Sequence, residues 1–288
     1  MIIQELLNKT IQFFKDKNIE SARLDAEILV SEALGLKRIE LYTNFEKPLD
    51  ETQITKCRDS VRRRSQGEPV AYIIGKKVFY RHDFIVNSNV LIPRPETETL
   101  VEQVLNFFPD KDKAYSILDL GTGSGILACT FSKEYPNSKV TAVDVSEDAL
   151  EVASINAENL EISEDQLQFI CADATTLDLS TLSTQSFDII VSNPPYISAD
   201  DPNIQAEVKK FEPSQALFAS ENGLFFINAW ARKYAPLLKS PGIMIFEMGN
   251  TQANETSKLF LSTNLFSDVK VVKDLSGHDR FIKGTKNG

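Results

Sequence analysis

The chain has 288 residues, 42% apolar and 25% charged, which is enough to bury a core without disulfides and excludes a disordered or fibrous class. With 41 acidic against 31 basic residues the net charge is −10, so the overall charge does not draw the chain to polyanions, and duplex nucleic acid is a poor default partner. The 3 cysteines show no metal-ligand spacing and there are only 2 histidines, which speaks against a metal centre and against histidine catalysis.

The first residues mix apolar side chains with Gln4, Glu5, Asn8 and Lys9 and offer no cleavage site, so no secretory signal is expected. No apolar run approaches ~20 residues, so no membrane span is expected and the thiols read as reduced, cytoplasmic ones. Ile3, Leu6, Leu7, Ile11 and Phe14 share one helical face. Ser21 to Leu34 reads as a second helix, with Ser21 as cap and Gly35 as stop. Asp50 caps a third, Gln53 reaches back to it, and Gly67 ends it. That helix carries Arg58, Arg62, Arg63 and Arg64, which read either as a solvated basic face or as a docking surface for an acidic or RNA-like partner.

From Val70 to Val86 short runs rich in Val, Ile, Tyr and Phe surround Gly75-Lys76-Lys77 and predict a β-hairpin. Ile92-Pro93-Arg94-Pro95 punctuates the chain before a helical pattern from Glu96 to Phe108. Strands are then expected at 117–120, 140–143, 167–170, 187–191 and 243–247, and near 269–272 and 280–282. Helices are expected from Gly125, around 147–156 and over 224–238. This alternation predicts an α/β fold, a mainly parallel, doubly wound Rossmann-like sheet. The expected organisation is a helical domain over residues 1–68, a hairpin linker over 69–92 and a Rossmann-like domain over 93–288.

The first strand of that sheet ends Asp119-Leu120-Gly121-Thr122-Gly123-Ser124-Gly125. Alternate glycines there permit a tight turn and close approach of a ligand to the backbone. A dinucleotide fingerprint would need its third glycine where Ile126 stands, and a phosphate loop would need Lys after Gly125. The pattern resembles the first motif of Rossmann-like methyltransferases, whose cofactor is the sulfonium S-adenosylmethionine. Asp144 ends the second strand, where a carboxylate can accept from both ribose hydroxyls or cap the next helix together with Ser146. Asp173 stands after the third strand, where that family meets the adenine amine.

Asn193-Pro194-Pro195-Tyr196 follows the fourth strand. Proline lacks an N–H and restricts its predecessor, so the loop is stiff and offers acceptors without competing donors. In isolation it reads as a rigid turn. After the fourth strand of such a sheet it suits a planar nitrogen whose lone pair is delocalised. The Asn193 side-chain oxygen and the Pro194 carbonyl can receive its N–H groups, align it and accumulate negative potential where positive charge develops, while the Tyr196 ring stacks on the planar group.

Together with Glu68–Gly75, Leu91–Glu98, Glu212-Pro213, Ala216-Leu217, Gly223-Leu224, Glu247-Met248-Gly249, Gln252, Asp274, Gly277 and Arg280, these motifs make most of the chain similar to the HemK-type protein-glutamine N5-methyltransferases. The resemblance implies methylation of the glutamine in the Gly-Gly-Gln loop of peptide chain release factors, a helical recognition domain, and a monomer with no direct nucleic-acid or membrane partner. It implies catalytic roles for Asn193, Pro194 and Tyr196, with Pro195 joining them at the substrate. Cofactor contacts fall to Gly121, Thr122, Gly123, Ser124, Gly125, Asp144, Asp173 and Asn193, with no metal. Arg94 to Thr97 either border the pocket or form a hinge with a helix cap, and Glu247 either lines the pocket or ends its strand. Beside a non-catalytic adaptor, which the presence of Asn193 disfavours, and a methyltransferase of ribosomal protein or RNA, the serious rival reading is a DNA adenine-N6 methyltransferase, whose target is also a planar amine. The negative charge and the lack of a basic reading domain oppose it.

Overall fold

The computed structural model describes residues 1–182, 184, 186–202 and 204–287, so the end of the expected third domain, residue 288, lies outside the described residues. The chain forms two compact units. One comprises Met1–Lys76 with Gln205–Phe211, the other Lys77–Ile204 with Glu212–Gly288.

The first unit is helical, with α1 (Ile3–Asp16), α2 (Ala22–Leu34), α3 (Arg38–Thr43), α4 (Glu51–Ser65) and α5 (Val70–Ile74). Its core is the apolar stripe of α1 packed on Ala26, Leu29, Val30, Leu41 and Cys57. The local signals act as expected. Asp50 accepts from the Gln53 amide at 2.8 Å while the Gln53 side chain accepts from the Asp50 amide at 3.1 Å, and Gly35 ends α2 in the left-handed region. Ser21 occupies the cap position of α2, but its side chain makes no capping bond.

Two expectations are corrected in this stretch. Val70–Ile74 is a helix and not a strand: Pro69 precedes it, Gly75 closes it at φ 74°, and Val70, Ile73 and Ile74 turn toward the helical core. Helix punctuation and packing override the β-propensity of its branched residues. The hairpin lies later, β1 (Lys76–Phe79) and β2 (His82–Ile85) meeting at Tyr80-Arg81, with Tyr80 left-handed at φ 56°.

The arginines of α4 are not one solvated face. Arg64 is buried, its Nε 2.7 Å from Asp25 and a second nitrogen 3.2 Å from Glu207. Arg63 binds Glu68 at 2.8 Å, and Arg62 stands 3.3 Å from Asp59. A guanidinium is buried only with partners, and Asp25 and Glu207 come from segments distant in sequence.

The second unit is built on a seven-stranded sheet in the order β5-β4-β3-β6-β7-β9-β8. The strands are β3 (Ser116–Leu120), β4 (Lys139–Asp144), β5 (Leu167–Cys171), β6 (Phe187–Ser192), β7 (Leu238–Glu247), β8 (Asp268–Lys273) and β9 (Asp279–Lys286). The first five in spatial order run parallel; β9 is antiparallel to both neighbours. Strands covered on both faces read as continuous apolar runs, as in Ile189-Ile190-Val191. Ile189 and Val191 join the core that holds α7 (Ile126–Glu134), whereas Ile190 joins the opposite core with Trp230 and Tyr234. Further helices are α6 (Glu98–Phe107), α8 (Glu147–Asn159), Phe225–Tyr234 and Ala253–Ser262. The strand order reverses between β3 and β6, which opens a crevice at the carboxyl ends of those strands.

Candidate active site

The crevice is built from the loops after β3, β4, β5 and β6. The β3 turn is held by the Gly121 and Thr122 amides donating to the Val143 carbonyl at 2.8 and 3.1 Å. Its three glycines are all left-handed, each for a different reason. A Cβ on Gly121 would meet the Trp230 ring at 3.2 Å, and one on Gly125 would meet Ala153 at 3.1 Å. At Gly123 nothing stands within 4 Å, and Gly123 lines the cleft. About 960 Å³ of empty space, open solvent included, lies in this cleft.

Gly121, Thr122, Gly123, Ser124, Asp144, Asp173 and Asn193 all line this cleft; Gly125 turns instead into the packing of α7 on α8. Asp144 is engaged, accepting from the Gly123 amide at 2.8 Å and the Ser146 amide at 3.0 Å, and burial raises its carboxyl above the ordinary value. Asp173 Oδ1 accepts from Thr175 at 2.7 Å.

Asp119 is a cleft residue absent from the expected set. Its Oδ2 accepts from the Thr122 hydroxyl at 2.6 Å and the Ala128 amide at 3.2 Å. Its Oδ1 is buried and, among the described residues, has no hydrogen-bond partner. Burial pushes this carboxyl up to about 7, and the nearby Asp144 adds to the rise. The signal was present in the sequence as a carboxylate inside an otherwise buried apolar strand. Three carboxylates thus line the cleft, and no lysine or arginine does among the described residues. Such a set of acceptors repels phosphates and suits a cationic ligand.

The β6 loop is fixed from several sides. Ser192 Oγ donates to the Leu120 carbonyl at 2.6 Å, joining the ends of β3 and β6. Asn193 and Pro195 line the cleft, and Pro194 is buried. The Tyr196 carbonyl accepts from Gln252 Nε2 at 2.9 Å, and the same amide group of Gln252 donates to the Asn222 carbonyl at 2.9 Å. Glu221 and Asn222 are left-handed, and a Cβ on the following Gly223 would fall 2.0 Å from the Tyr196 carbonyl oxygen. Only glycine permits that approach.

Behind Asn193 lies a buried polar chain. Glu247, 1% exposed at the end of β7, accepts from the Thr97 hydroxyl at 2.6 Å and from the Tyr196 hydroxyl at 3.0 Å. Burial raises the Glu247 carboxyl, while those two donors and Arg280 oppose the rise. Asn193 Nδ2 donates to Thr97 Oγ1 at 3.4 Å. Glu247 therefore lies behind the cleft and not on its wall. Arg94 does not line it either: Arg94 and the Ile92 amide both bind buried Glu212, at 2.6 and 3.2 Å, pinning the segment whose Pro93 lines the cleft.

A glycine turn, an engaged carboxylate and an Asn-Pro-Pro-Tyr loop at the switch point of a seven-stranded sheet define a Rossmann-like methyltransferase. The comparisons agree. Residues 5–75 match the PrmC N-terminal domain and residues 111–275 a methyltransferase domain. The chain is 41% identical to a release factor glutamine methyltransferase of Chlorobaculum tepidum, over 96% of this chain and 95% of that one. It is 39% identical to another of Rhodopirellula baltica, over 99% and 96%. A methyltransferase crystal structure from Pyrococcus furiosus shares the fold, with a TM-score of 0.50 and 18% identity, over 72% of this chain and 89% of that one. The chain belongs to the release factor glutamine methyltransferase family.

Proposed function

We infer that this chain transfers a methyl group from S-adenosylmethionine to the side-chain amide nitrogen of the glutamine in the Gly-Gly-Gln loop of peptide chain release factors. The observation that carries the reading is Asn193: it lines a cleft that suits a cation, and none of the described residues donates to its Oδ1. When bound, S-adenosylmethionine supplies a methyl group activated by a sulfonium. The turn Gly121-Thr122-Gly123-Ser124-Gly125 would hold its methionine part, with Asp119 Oδ1 as acceptor for the ammonium. Asp144 would keep acceptor capacity for the ribose beyond its two backbone bonds, and Asp173 would face the adenine.

The substrate amide is planar and a poor nucleophile. Asn193 Oδ1 and the Pro194 carbonyl accept its N–H groups, which orients the nitrogen and places negative potential where positive charge grows. So held, the nitrogen would take the methyl from the sulfonium, which would leave as a neutral thioether, and would release one proton to solvent. Pro195 stiffens the loop. The Tyr196 ring, its hydroxyl held by Glu247, would stack on the planar amide.

The same proposal takes the helical unit, Met1–Lys76 with Gln205–Phe211, as the release-factor recognition domain, the hairpin as linker and the rest of the sheet unit as the catalytic domain. It takes the protein as a cytoplasmic monomer without a nucleic-acid partner. Among the described residues no helix is long and apolar enough to cross a membrane. The test is transfer of labelled methyl groups to a release factor, to its Gly-Gly-Gln→Gly-Gly-Ala variant and to adenine-containing DNA. Label should enter the first alone, and label in DNA would overturn the reading. Asn193→Ala should lower kcat about 100- to 1000-fold with cofactor affinity nearly unchanged.

A further inference from the structure

An asparagine can serve as acceptor only if its carboxamide is turned the right way, because its oxygen and nitrogen ends have nearly the same shape and opposite hydrogen-bonding character. A 180° turn of the Asn193 side-chain amide would present NH2 to an amide that itself has N–H groups to place. The buried chain behind Asn193 decides the orientation. Glu247 lies at its far end with each carboxylate oxygen taken by one hydroxyl, Thr97 at 2.6 Å and Tyr196 at 3.0 Å. Burial raises the Glu247 carboxyl while the two hydroxyls and Arg280 oppose the rise, and with both oxygens accepting from hydroxyls the group acts as an acceptor toward Thr97. Arg280 is held in turn by Asp274, 3.3 Å from its Nε. A hydroxyl has a single proton, and that of Thr97 is committed to Glu247. Thr97 Oγ1 can then offer only lone pairs to Asn193, so the Nδ2 end must face it, at 3.4 Å.

We propose that Thr97 is a positioning residue that relays the fixed polarity of Glu247 to Asn193, so that the Asn193 carboxamide presents its oxygen, and not its NH2, to the acceptor nitrogen. The proposal rests on the role given to Asn193 above and extends it to a residue that does not touch substrate. Thr97 is fully buried, so no substrate contact competes with this role.

Two variants separate orientation from structure. Thr97→Val keeps the shape and removes the hydroxyl, while Thr97→Ser keeps the hydroxyl and removes a methyl. Thr97→Val should lower kcat about 10- to 100-fold, the scale of a misplaced reacting group, with release-factor KM and S-adenosylmethionine Kd within about threefold of wild type. Thr97→Ser should restore kcat to within about threefold. In an Asn193→Ala background Thr97→Val should cause no further loss, because both act through one amide. Wild-type kcat in Thr97→Val, or equal losses in the Val and Ser variants, overturns the proposal. So does an additional loss in the double variant. The reading of Asn193 fails separately, if wild type labels no release factor or Asn193→Ala keeps full activity.

Discussion

Replacing Asp119 by asparagine probes the electrostatics of the cleft. In the folded protein, burial pushes the Asp119 carboxyl up from the ordinary 3.8 to about 7, although Thr122 and Ala128 hydrogen-bond its charged form. Between those two values the folded chain holds a proton that the unfolded chain has released. The stability tied to that proton is complete below about 3.8 and is lost as pH rises through about 7. At ~1.4 kcal/mol per pH unit the whole effect is on the order of 4 kcal/mol. Asparagine has nearly the same shape, accepts from Thr122 and Ala128 through its oxygen, and does not titrate. Urea unfolding without cofactor, from pH 5 to 8.5, should show the variant gaining on wild type by ~1 kcal/mol per unit up to about pH 7 and then holding a constant lead. Parallel profiles across that range refute the buried, proton-holding carboxyl. A cation beside Oδ1 favours the charged form, so S-adenosylmethionine should tighten on wild type as pH rises through the same window. Asp119→Asn should weaken it about tenfold or more, and calorimetric titration at pH 8 measures this.

Other consequences follow from single contacts. Gly223→Ala places a Cβ against the Tyr196 carbonyl and forces alanine into a left-handed conformation. The expected cost is ~2 kcal/mol or more in thermal unfolding, together with a loss of kcat beyond what the unfolded fraction explains. Asp25→Ala leaves the buried Arg64 without its 2.7 Å partner and should destabilise the helical unit by ~3–5 kcal/mol in urea titration. Because the pair is buried, added salt up to about 1 M should change that loss little.

Much of this protein was legible in short stretches of chain, because the deciding interactions are short-range. The Asp50–Gln53 box, the stop at Gly35, the β3 glycine turn and the stiff Asn193–Tyr196 loop depend on residues a few positions apart. The apolar runs of β3, β4 and β6 determined a sheet covered on both faces, and so the end of the sheet at which a ligand binds. Where local and distant forces compete, the sequence by itself misleads. Val70–Ile74 has β-branched residues yet is helical, since Pro69 and Gly75 bracket it and the helical core takes its apolar side. Arg64 looks solvent-facing until Asp25 and Glu207 arrive to neutralise it.

The site divides in the same way. The residues that line the cleft are named by their own motifs, whereas those that aim them are not. Thr97 and Asn193 are 96 positions apart, and Thr97 and Glu247 are 150 apart. Gln252 reaches the Tyr196 carbonyl across 56 positions. A hydrogen bond needs its partners within about 3 Å and correctly oriented, and sequence spacing carries no such information across separate strands. The sequence determined which groups take part in the chemistry, and the folded sheet alone decided which way Asn193 faces.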